Sequence, residues 1–526
     1  MERHARDSYF IVGEGVVGAD PEQLTVAGDT AGALVAPPTF RFSRLGPSGR
    51  PVSLALRRKL AQAMTTANSR PGPIPAGFTY LGQFIDHDLT FDKTEVAFGD
   101  VLTVEELEQA RSPSLDLDSL YGRGPRRPGS QRFYAADRTH LKMGTTAAAG
   151  GLGNENRDLA GFDLPRVNTI GATALIPDKR NDENLAVAQT HLAMIRFHNR
   201  VVDRLKAQGV SGTELFRQAR SLVVRHFQWM IRTDFLPRIV APTIVDDVFT
   251  NGRKVFEVGA PPSSLPTMPI EFSVGAYRLG HSMVRDTYNW NRVFDNGAGS
   301  LDLLFFFSGT SGELGGGVRL PSNWIADWRR LYDFAEAGRA NLVVPAAKFN
   351  RAMRLDTRLV DPLAFLPDGS FGGGQNTPLM QRNLAFRNLT RANMLRLASG
   401  QQMVSHLQSK GVNVTPLTNA QILTGQRGAV LDALTAAERN ALVNRTPLWF
   451  YVLREAETSP SGRMRGVGGR LVAETFHRAI EGSVESIVRD PAWRPTLGPN
   501  SSTFRMVDLL LFAFEGRANL LNPLGN

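Results

Sequence analysis

The segment Gly77–Asp92 combines an apolar helical repeat with polar side chains that could carry acid–base or ligand chemistry. Its apolar residues recur at intervals of three and four, which predicts a helix with one buried stripe. Gln83, Asp86 and His87 would share a face, whereas Asp88 would project about 100° away from His87. Because burying such groups costs free energy unless each has a partner, we predict two different ligands on two sides of the helix. The alternative is that the aspartates are solvated and the histidine is a hydrogen-bonded core residue.

A second segment, 112–122, carries oxygen-bearing side chains at every second position. They are Ser112, Ser114, Asp116 and Asp118. In an extended or turning backbone these oxygens would lie on one side, as a hard cation such as Ca²⁺ requires, and Asp88 could supply a further carboxylate. The alternative is an ordinary turn, in which Asp-x-Asp patterns are common.

Three further positions combine residue types that could bind a ligand. They are Arg180 with Glu183, Gly280 with His281, and Asn388 with Arg391. A glycine beside the histidine would let a flat ligand approach closely, because glycine has no side chain. Taken singly, each has an ordinary structural interpretation: a surface ion pair, a packed core histidine and a solvated helix face.

Composition excludes several classes of function. The chain has 526 residues, a net charge of +10 and no cysteine, so disulfides, Cys-ligated zinc, iron–sulfur clusters and a thiol nucleophile are impossible. Its basic residues are scattered, which argues against nucleic acid as a partner. No apolar run is long enough to span a membrane, and the N-terminus lacks the apolar core of a secretory signal. We therefore expect a soluble protein; cytoplasmic location and secretion without a cleaved signal both stay open, with secretion favoured.

Helical spacing dominates the elements that must position these residues. It predicts helices over Leu54–Ala63, Tyr80–Leu89, Leu185–Leu205, Leu215–Ile231, Thr435–Val443, Leu471–Ile480 and Val507–Phe514. Alternating strands are scarce, and Gly- and Pro-rich stretches separate the helices. The sequence thus predicts a mostly α fold: one large domain at 41–515 with long loops and little β structure, an N-terminal extension at 1–40 and a C-terminal tail at 516–526.

The five chemistry-bearing segments, in this order, resemble the animal-type haem peroxidases of the peroxidase–cyclooxygenase superfamily, and GQFIDHD is among the most specific strings. The resemblance covers nearly the whole chain. It implies a helical haem peroxidase domain that reduces H₂O₂ and oxidises halides, thiocyanate or small aromatic donors through a ferryl intermediate. The implied cofactors are haem b and Ca²⁺, and the implied partners are H₂O₂ and small anionic or phenolic electron donors. The absence of cysteine points to a bacterial, single-domain member, and the oligomeric state stays open.

The resemblance also implies roles for residues on the distal side, where peroxide would bind. His87 matches the acid–base histidine, Gln83 the neighbour that positions a water or a halide, and Arg180 the distal arginine. Asp86 and Glu183 match the carboxylates that form ester bonds to the haem in many members.

On the opposite, proximal side, His281 matches the iron ligand, and Asn388 matches the amide that accepts a hydrogen bond from its other ring nitrogen. Arg278 and Arg391 match arginines near the haem propionates. The calcium ligands implied by the resemblance are Asp88, Ser112, Ser114, Asp116 and Asp118.

Two alternatives stay open. A fatty-acid dioxygenase of the same superfamily would use a tyrosyl radical three residues before the proximal histidine, where this chain has Arg278. Arginine cannot form that radical, and Tyr277 is one position away. The other alternative is a non-catalytic, Arg-rich adhesion scaffold that holds haem and calcium. Such a scaffold would need only the iron ligand, whereas this chain also keeps the distal residues.

Overall fold

The structure is a computed structural model of the chain, and it describes residues 9–11, 14–17, 40–66, 70–94, 96, 98–149, 157–167, 173–366 and 378–526. About 49% of the chain is helical and 8% is strand, which confirms the predicted fold class. Most of the predicted extension at 1–40 lies outside the described residues, so its role stays a prediction.

Eleven α-helices of eight or more residues form the body of the described structure. They are α1 (Leu54–Thr65), α2 (Gly77–Leu89), α3 (Leu185–Ala207), α4 (Gly212–Met230), α5 (Pro242–Asn251), α6 (Leu384–Met394), α7 (Gly400–Ser409), α8 (Ala436–Asn444), α9 (Leu448–Glu457), α10 (Gly466–Glu481) and α11 (Met506–Ala513). All seven helices predicted from spacing are among them. Helices α5, α6, α7 and α9 are not among the helices predicted from spacing. In α9 the first six residues, Leu448–Leu453, are all apolar, so the sequence shows no helical period there.

Short helices and small sheets connect these elements. The short α-helices are Asp118–Tyr121, Leu236–Ile239, Gly280–Met283, Leu301–Phe306, Gly309–Gly312, Leu379–Arg382, Asn419–Thr424 and Ala518–Leu521. The 3₁₀ turns are Gln131–Phe133, Lys179–Asp182, Ala276–Leu279, Glu313–Gly316, Ser322–Trp324, Trp328–Arg330, Phe334–Ala337, Ala340–Leu342, Ala346–Lys348 and Asp361–Ala364. Single π-helical turns occur at Ile231–Phe235 and Glu271–Gly275.

The described strands form five separate two-stranded pairs. The strands are β1 (Tyr9–Ile11), β2 (Glu14–Val17), β3 (Phe42–Ser43), β4 (Pro71–Pro75), β5 (Gly144–Thr145), β6 (Ala160–Asp163), β7 (Met268–Pro269), β8 (Thr287–Tyr288), β9 (Gly299–Ser300) and β10 (Arg351–Met353). Strands β3 and β7 pair in parallel, and the other four pairs are antiparallel: β1 with β2, β4 with β10, β5 with β6, and β8 with β9.

One hydrophobic core extends through the described body, from Phe42 to Leu521. The predicted tail at 516–526 is packed onto this body. Leu521 and Leu524 are buried, and Arg292 Nε donates to the backbone carbonyl of Leu524 at 2.6 Å. The packed contacts of the body thus continue beyond residue 515, through Leu521 and Leu524. No described helix is both long and apolar enough to cross a membrane.

Helix α2 runs through the centre of this core. Eleven of its thirteen residues are buried, and it packs against α3 along the stripe that contains Phe84. Its first residue, Gly77, lies against the ring of buried Tyr332, and a Cβ added there would come within 2.2 Å of that ring. The start of α2 therefore requires glycine for close packing rather than for backbone freedom.

We predict that Gly77→Ala lowers the stability of the protein, because a methyl group would overlap the Tyr332 ring in a packed core. Overpacking of this kind costs about 1–3 kcal/mol. Gly280→Ala is the matched control, since a Cβ at Gly280 would meet no heavy atom within 4 Å. Thermal and guanidinium unfolding should show a loss for the first variant and none for the second; equal midpoints would contradict the packing argument.

Candidate functional site

A largely apolar cavity lies between α2 and the segment 277–284. Its apolar lining includes Phe78, Tyr80, Phe235, Tyr277, Leu301 and Phe305, and its polar lining includes Gln83, Asp86, Asn184, Arg278 and His281. Residues from two of the predicted segments therefore meet across one cavity. The π-helical turns at 231–235 and 271–275 lead into this wall, and such turns are frequent at functional sites.

His87 is fully buried on α2, one helical turn beyond Gln83. Its Nδ1 donates to Oδ1 of Asn181 at 2.9 Å, because an amide oxygen can only accept. Its Nε2 has no hydrogen-bond partner among the described residues. Burial, together with the charge of Arg180, lowers the pKa of His87 to about 3. The imidazole is thus neutral, with its proton on Nδ1 and a lone pair on Nε2.

Glu183, Gln83 and Asn184 form a short hydrogen-bonded series beside this histidine. Gln83 Nε2 donates to Glu183 Oε1, and Asn184 Nδ2 donates to Gln83 Oε1 at 3.0 Å. Glu183 Oε1 lies 3.6 Å from His87 Nε2. Burial raises the pKa of Glu183 to about 8. Three of the predicted site residues, Gln83, His87 and Glu183, therefore lie close together in the structure.

The two carboxylates predicted to form haem esters are placed differently. Asp86 is half-buried and lines the cavity, and burial raises its pKa to about 6. Glu183 is not among the described residues that line the cavity. Its carboxylate instead accepts a hydrogen bond from Gln83, which does line the cavity.

Arg180 also lies behind the cavity wall rather than in its lining. Its Nε and Nη2 donate to the two carboxylate oxygens of Asp178 at 3.0 and 2.8 Å, and Nη2 also donates to the carbonyl of His87 at 3.0 Å. The guanidinium stacks over the ring of Phe91, 4.3 Å from its centroid. Although burial alone would raise it, the Arg180 and Arg111 guanidinium groups hold the pKa of Asp178 below its usual range.

On the other wall, Asn388 on α6 contacts His281 as predicted, with Nδ2 2.7 Å from Nδ1. As the side chain stands, the amide nitrogen of Asn388 faces this ring nitrogen, whereas the prediction has the amide oxygen accept from it. Because an amide nitrogen only donates, His281 can hold iron through Nε2 only when the Asn388 amide turns to present its oxygen. The amide oxygen of Asn388 accepts from Arg278 Nη1, so the amide nitrogen is left to face the imidazole. Trp449 packs edge-on to the His281 ring and donates Nε1–H to the carbonyl of Arg278 at 3.1 Å.

The second predicted proximal arginine, Arg391, pairs with Asp92 at the end of the segment that contains α2. It does not line the described cavity, whereas Arg278 does. Contact of either arginine with haem propionates stays a prediction.

The predicted calcium ligands lie in and beside one loop, and their side chains have different partners. Asp88 accepts from the backbone N–H groups of Leu117 and Ser119, at 3.1 and 3.2 Å, and from the Ser119 hydroxyl at 2.8 Å. Asp116 turns outward and accepts from Ser483 Oγ at 2.5 Å and from the N–H of Val484 at 3.1 Å. Within the described ranges, no three His, Asp or Glu side chains are arranged to hold a metal ion.

The other three predicted ligands lie in the same buried loop. The N–H of Ser112 donates to Asp118 Oδ2 at 3.2 Å, and Ser112 Oγ accepts from the N–H of Ser114 at 3.3 Å. Asp118 Oδ1 faces the guanidinium of Arg111, with 3.5 Å between the nearest atoms. Ser114 Oγ and Asp118 Oδ1 are buried without a hydrogen-bond partner among the described residues, and calcium binding by this loop stays a prediction.

The residues around the cavity fit a haem. Gly280 lines the cavity, and the space that a side chain would occupy there is open. His281 and Asp86 lie on the cavity surface as a potential iron ligand and a potential ester-forming carboxylate. The walls are mainly aromatic and aliphatic, as a flat macrocycle requires.

Sequence reasoning missed three residues that organise this site: Asn181, Asp178 and Arg111. Each lies within two residues of a predicted site residue. Asn181 is buried and contacts His87, and Arg111 connects to Asp178 by a hydrogen bond of 2.5 Å. Residue spacing alone does not show whether an Asn, Asp or Arg is buried or exposed. The one signal for these three residues was that each is adjacent, or nearly adjacent, to a predicted site residue.

Comparison with known proteins adds independent support. Residues 97–309 match the sequence model of the animal haem peroxidase family. The chain is 31% identical over 114 residues to a peroxidase-like protein of Margaritifera margaritifera, covering 21% of this chain and 14% of that protein. It is 25% identical over 203 residues to human thyroid peroxidase, covering 36% of this chain and 21% of that protein. The chain thus spans less than a quarter of each of these relatives.

The fold extends the likeness along almost the whole chain. Peroxidase A from Dictyostelium discoideum superposes with a TM-score of 0.56 at 16% identity, covering 89% of this chain and 92% of that one. A fatty acid alpha-dioxygenase from Arabidopsis thaliana superposes with a TM-score of 0.60 at 13% identity, covering 92% of this chain and 78% of that one. These similarities show the fold. Together with the family match over residues 97–309, they confirm the resemblance that the motifs indicated.

Proposed function

We propose that this protein is a haem-dependent peroxidase that reduces H₂O₂ and oxidises small electron donors such as halides, thiocyanate or phenols. The observation that carries the proposal is His87, a buried neutral imidazole whose Nε2 has no described hydrogen-bond partner. It lies on the helix that forms one wall of the cavity, where Gln83 and Asp86 belong to the lining and His87 itself does not; the other wall carries His281. One histidine would hold the iron of haem b, and the other would move protons on the opposite side.

Reduction of H₂O₂ to water requires a proton to move from one peroxide oxygen to the other while the O–O bond breaks. Bound haem iron would supply the electrons for that cleavage, and the donor would later replace them. His87 Nε2 would take the proton from the near oxygen and return it to the departing one. Asn181 would keep the other proton on Nδ1, so that both transfers use Nε2.

Gln83 and Arg180 would support this histidine in different ways. Gln83 lines the cavity, so its amide is placed to position a water or a small donor. Arg180 was predicted to stabilise the departing oxygen, but its guanidinium is bound to Asp178 and to the carbonyl of His87. We therefore assign Arg180 as a positioning residue that fixes the last turn of α2.

The dioxygenase alternative is less well supported by the proximal side. Arg278 stands where that chemistry would need a tyrosine, and its guanidinium binds Asn388. Tyr277 lines the cavity, but its hydroxyl donates to the carbonyl of Gly82 at 3.2 Å, which is not a base that could take its proton. The scaffold alternative explains neither His87 nor its fixed tautomer.

We expect His87→Leu to slow the reaction of the haem-loaded protein with H₂O₂ by several orders of magnitude, because it removes the neutral imidazole that would carry the proton between the two peroxide oxygens. The reaction is followed by stopped-flow absorbance of the haem, after which iodide, bromide, thiocyanate, a phenol or a fatty acid is added. His191→Leu is the matched control, since His191 is equally buried on α3 and also lacks a described hydrogen-bond partner. An unchanged rate in His87→Leu, or consumption of only the fatty acid, would refute the proposal.

Asn181→Leu should slow the same reaction by about 10- to 100-fold, the usual effect of losing a side chain that orients a catalytic imidazole. The physical reason is that His87 Nδ1 would lose its acceptor, and the imidazole could then rotate or change tautomer. Asn181→Asp keeps an oxygen acceptor and should restore most of the rate. Equal rates in Asn181→Leu and the unchanged protein would show that the amide does not orient the histidine.

We predict that turnover with H₂O₂ makes the haem resistant to acid–acetone extraction, through an ester bond to Asp86. Asp86→Asn should leave the haem extractable, because an amide cannot form the ester. Glu183→Gln should have a smaller effect, since Glu183 does not line the described cavity. Extraction of all haem from the unchanged protein after turnover would exclude an ester at either position.

A further inference from the structure

A series of hydrogen bonds between side chains begins at the N-terminus of α3 and ends at the cavity. Asn184 Oδ1 accepts from the backbone N–H of Val187 at 2.9 Å and so caps the helix. Because the amide oxygen is used in this way, the amide nitrogen faces Gln83, and it donates to Gln83 Oε1 at 3.0 Å. Gln83 Nε2 in turn donates to Oε1 of Glu183. The helix cap therefore sets the direction of both amides.

The reverse orientation of the Gln83 amide is unfavourable. It would place the nitrogen of Gln83 against the nitrogen of Asn184, and two N–H donors cannot hydrogen-bond to each other. Turning the Asn184 amide as well would take the acceptor away from the N–H of Val187. Asn184 is buried, with 1% of the residue exposed, so a donor left without an acceptor there would be costly.

The orientation of Gln83 decides what the cavity offers to a ligand. Gln83 lines the cavity, and its Nε2 carries two N–H groups. One of them is directed at Glu183, which leaves the other for a ligand that accepts a hydrogen bond. Halides and thiocyanate are acceptors of this kind. The reversed amide would instead present its oxygen, which suits a ligand that donates, such as the hydroxyl of a phenol.

We propose that Asn184 is a positioning residue that makes the Gln83 amide a hydrogen-bond donor toward the cavity, and that it thereby favours halides and thiocyanate over phenols. This inference rests on the proposed function, because the bound anion would be the electron donor of that reaction. Binding of the anion requires no peroxide, however, so it can be measured separately. Asn184 also lines the cavity, and the tests must therefore separate an effect through Gln83 from direct contact with the anion.

The first test removes the amide nitrogen of Asn184 and keeps the helix cap. Asn184→Ser retains an oxygen that caps a helix about as well as asparagine does, so its Tm should stay close to that of the unchanged protein. Thiocyanate binding to the full-length, ferric, haem-loaded protein is titrated by absorbance without H₂O₂. We expect the Kd for thiocyanate to rise by about 10-fold or more, the usual effect of losing a hydrogen bond to a charged group. No thiocyanate binding by the unchanged protein, or an unchanged Kd in the variant, would overturn the proposal.

Asn383→Ser is the matched control for this test. Asn383 caps α6 in the same way, with its Oδ1 accepting from the N–H of Phe386 at 3.0 Å, and its amide nitrogen donates to Thr65 rather than to Gln83. The control should leave the Kd for thiocyanate unchanged. An equal rise in both variants would show that the effect comes from altering a helix cap and not from the orientation of Gln83.

The second test asks whether Asn184 acts through Gln83. Gln83→Leu removes the amide that would bind the anion, and it should weaken thiocyanate binding at least as much as Asn184→Ser does. When Gln83→Leu is already present, Asn184→Ser should cause no further loss, because the side chain that it positions is gone. Additive losses in the double variant would mean that Asn184 acts independently of Gln83, which would overturn the positioning role.

Steady-state kinetics with H₂O₂ then separate selectivity from general damage to the site. In Asn184→Ser the KM for thiocyanate should rise in proportion to the Kd, whereas kcat/KM for a phenol should not fall. Equal losses with both electron donors would contradict the proposed selectivity. A haem-loaded protein that shows the expected differences in thiocyanate binding but does not react with H₂O₂ would refute the proposed peroxidase function and still support the orientation of Gln83 by Asn184.

Discussion

The constraint on which the site depends is that several charged and polar groups are buried beside an apolar cavity. A buried charge is tolerated only when an opposite charge or a hydrogen bond compensates it. Asp178 illustrates the solution, since its two oxygens bind the guanidinium groups of Arg180 and Arg111. Because Asp178, Arg180 and Arg111 pair with one another, their charges are neutralised outside the cavity lining. The cavity lining is left mainly apolar, which suits a flat prosthetic group.

Three consecutive polar residues of helix α2 face three different sets of partners. Asp86 faces the cavity, His87 faces the turn that contains Asn181, and Asp88 faces the loop around Ser119. Three consecutive residues can do this because each step along a helix rotates the side chain by about 100°. The helix is almost wholly buried, so each direction has its own set of partners. Small changes in its rotation would disturb all three contacts together.

The two walls of the cavity are stabilised in chemically different ways. On the α2 side, neutral amides orient the histidine: Asn181 fixes His87, and Asn184 fixes Gln83. On the other side, Arg278 takes the oxygen of Asn388, and the amide nitrogen is what His281 contacts. The charge of Arg278 therefore acts on the His281 imidazole through one intervening amide. Among the described residues, Nε2 of His87 has no hydrogen-bond partner, so no such connection reaches it.

Sequence patterns alone predicted the helical fold class, the positions of most long helices and the divergence of side chains on α2, because these follow from the 3.6-residue period. Motif order also indicated the contact between His281 and Asn388. Packing between distant segments, by contrast, sets the contact of Asp116 with Ser483, far along the chain, and that of Arg111 with Asp178. Spacing describes which residues share a local face. Spacing carries no information about which distant segment packs against that face. The orientation of a buried carboxylate depends on the hydrogen-bond donors of that segment.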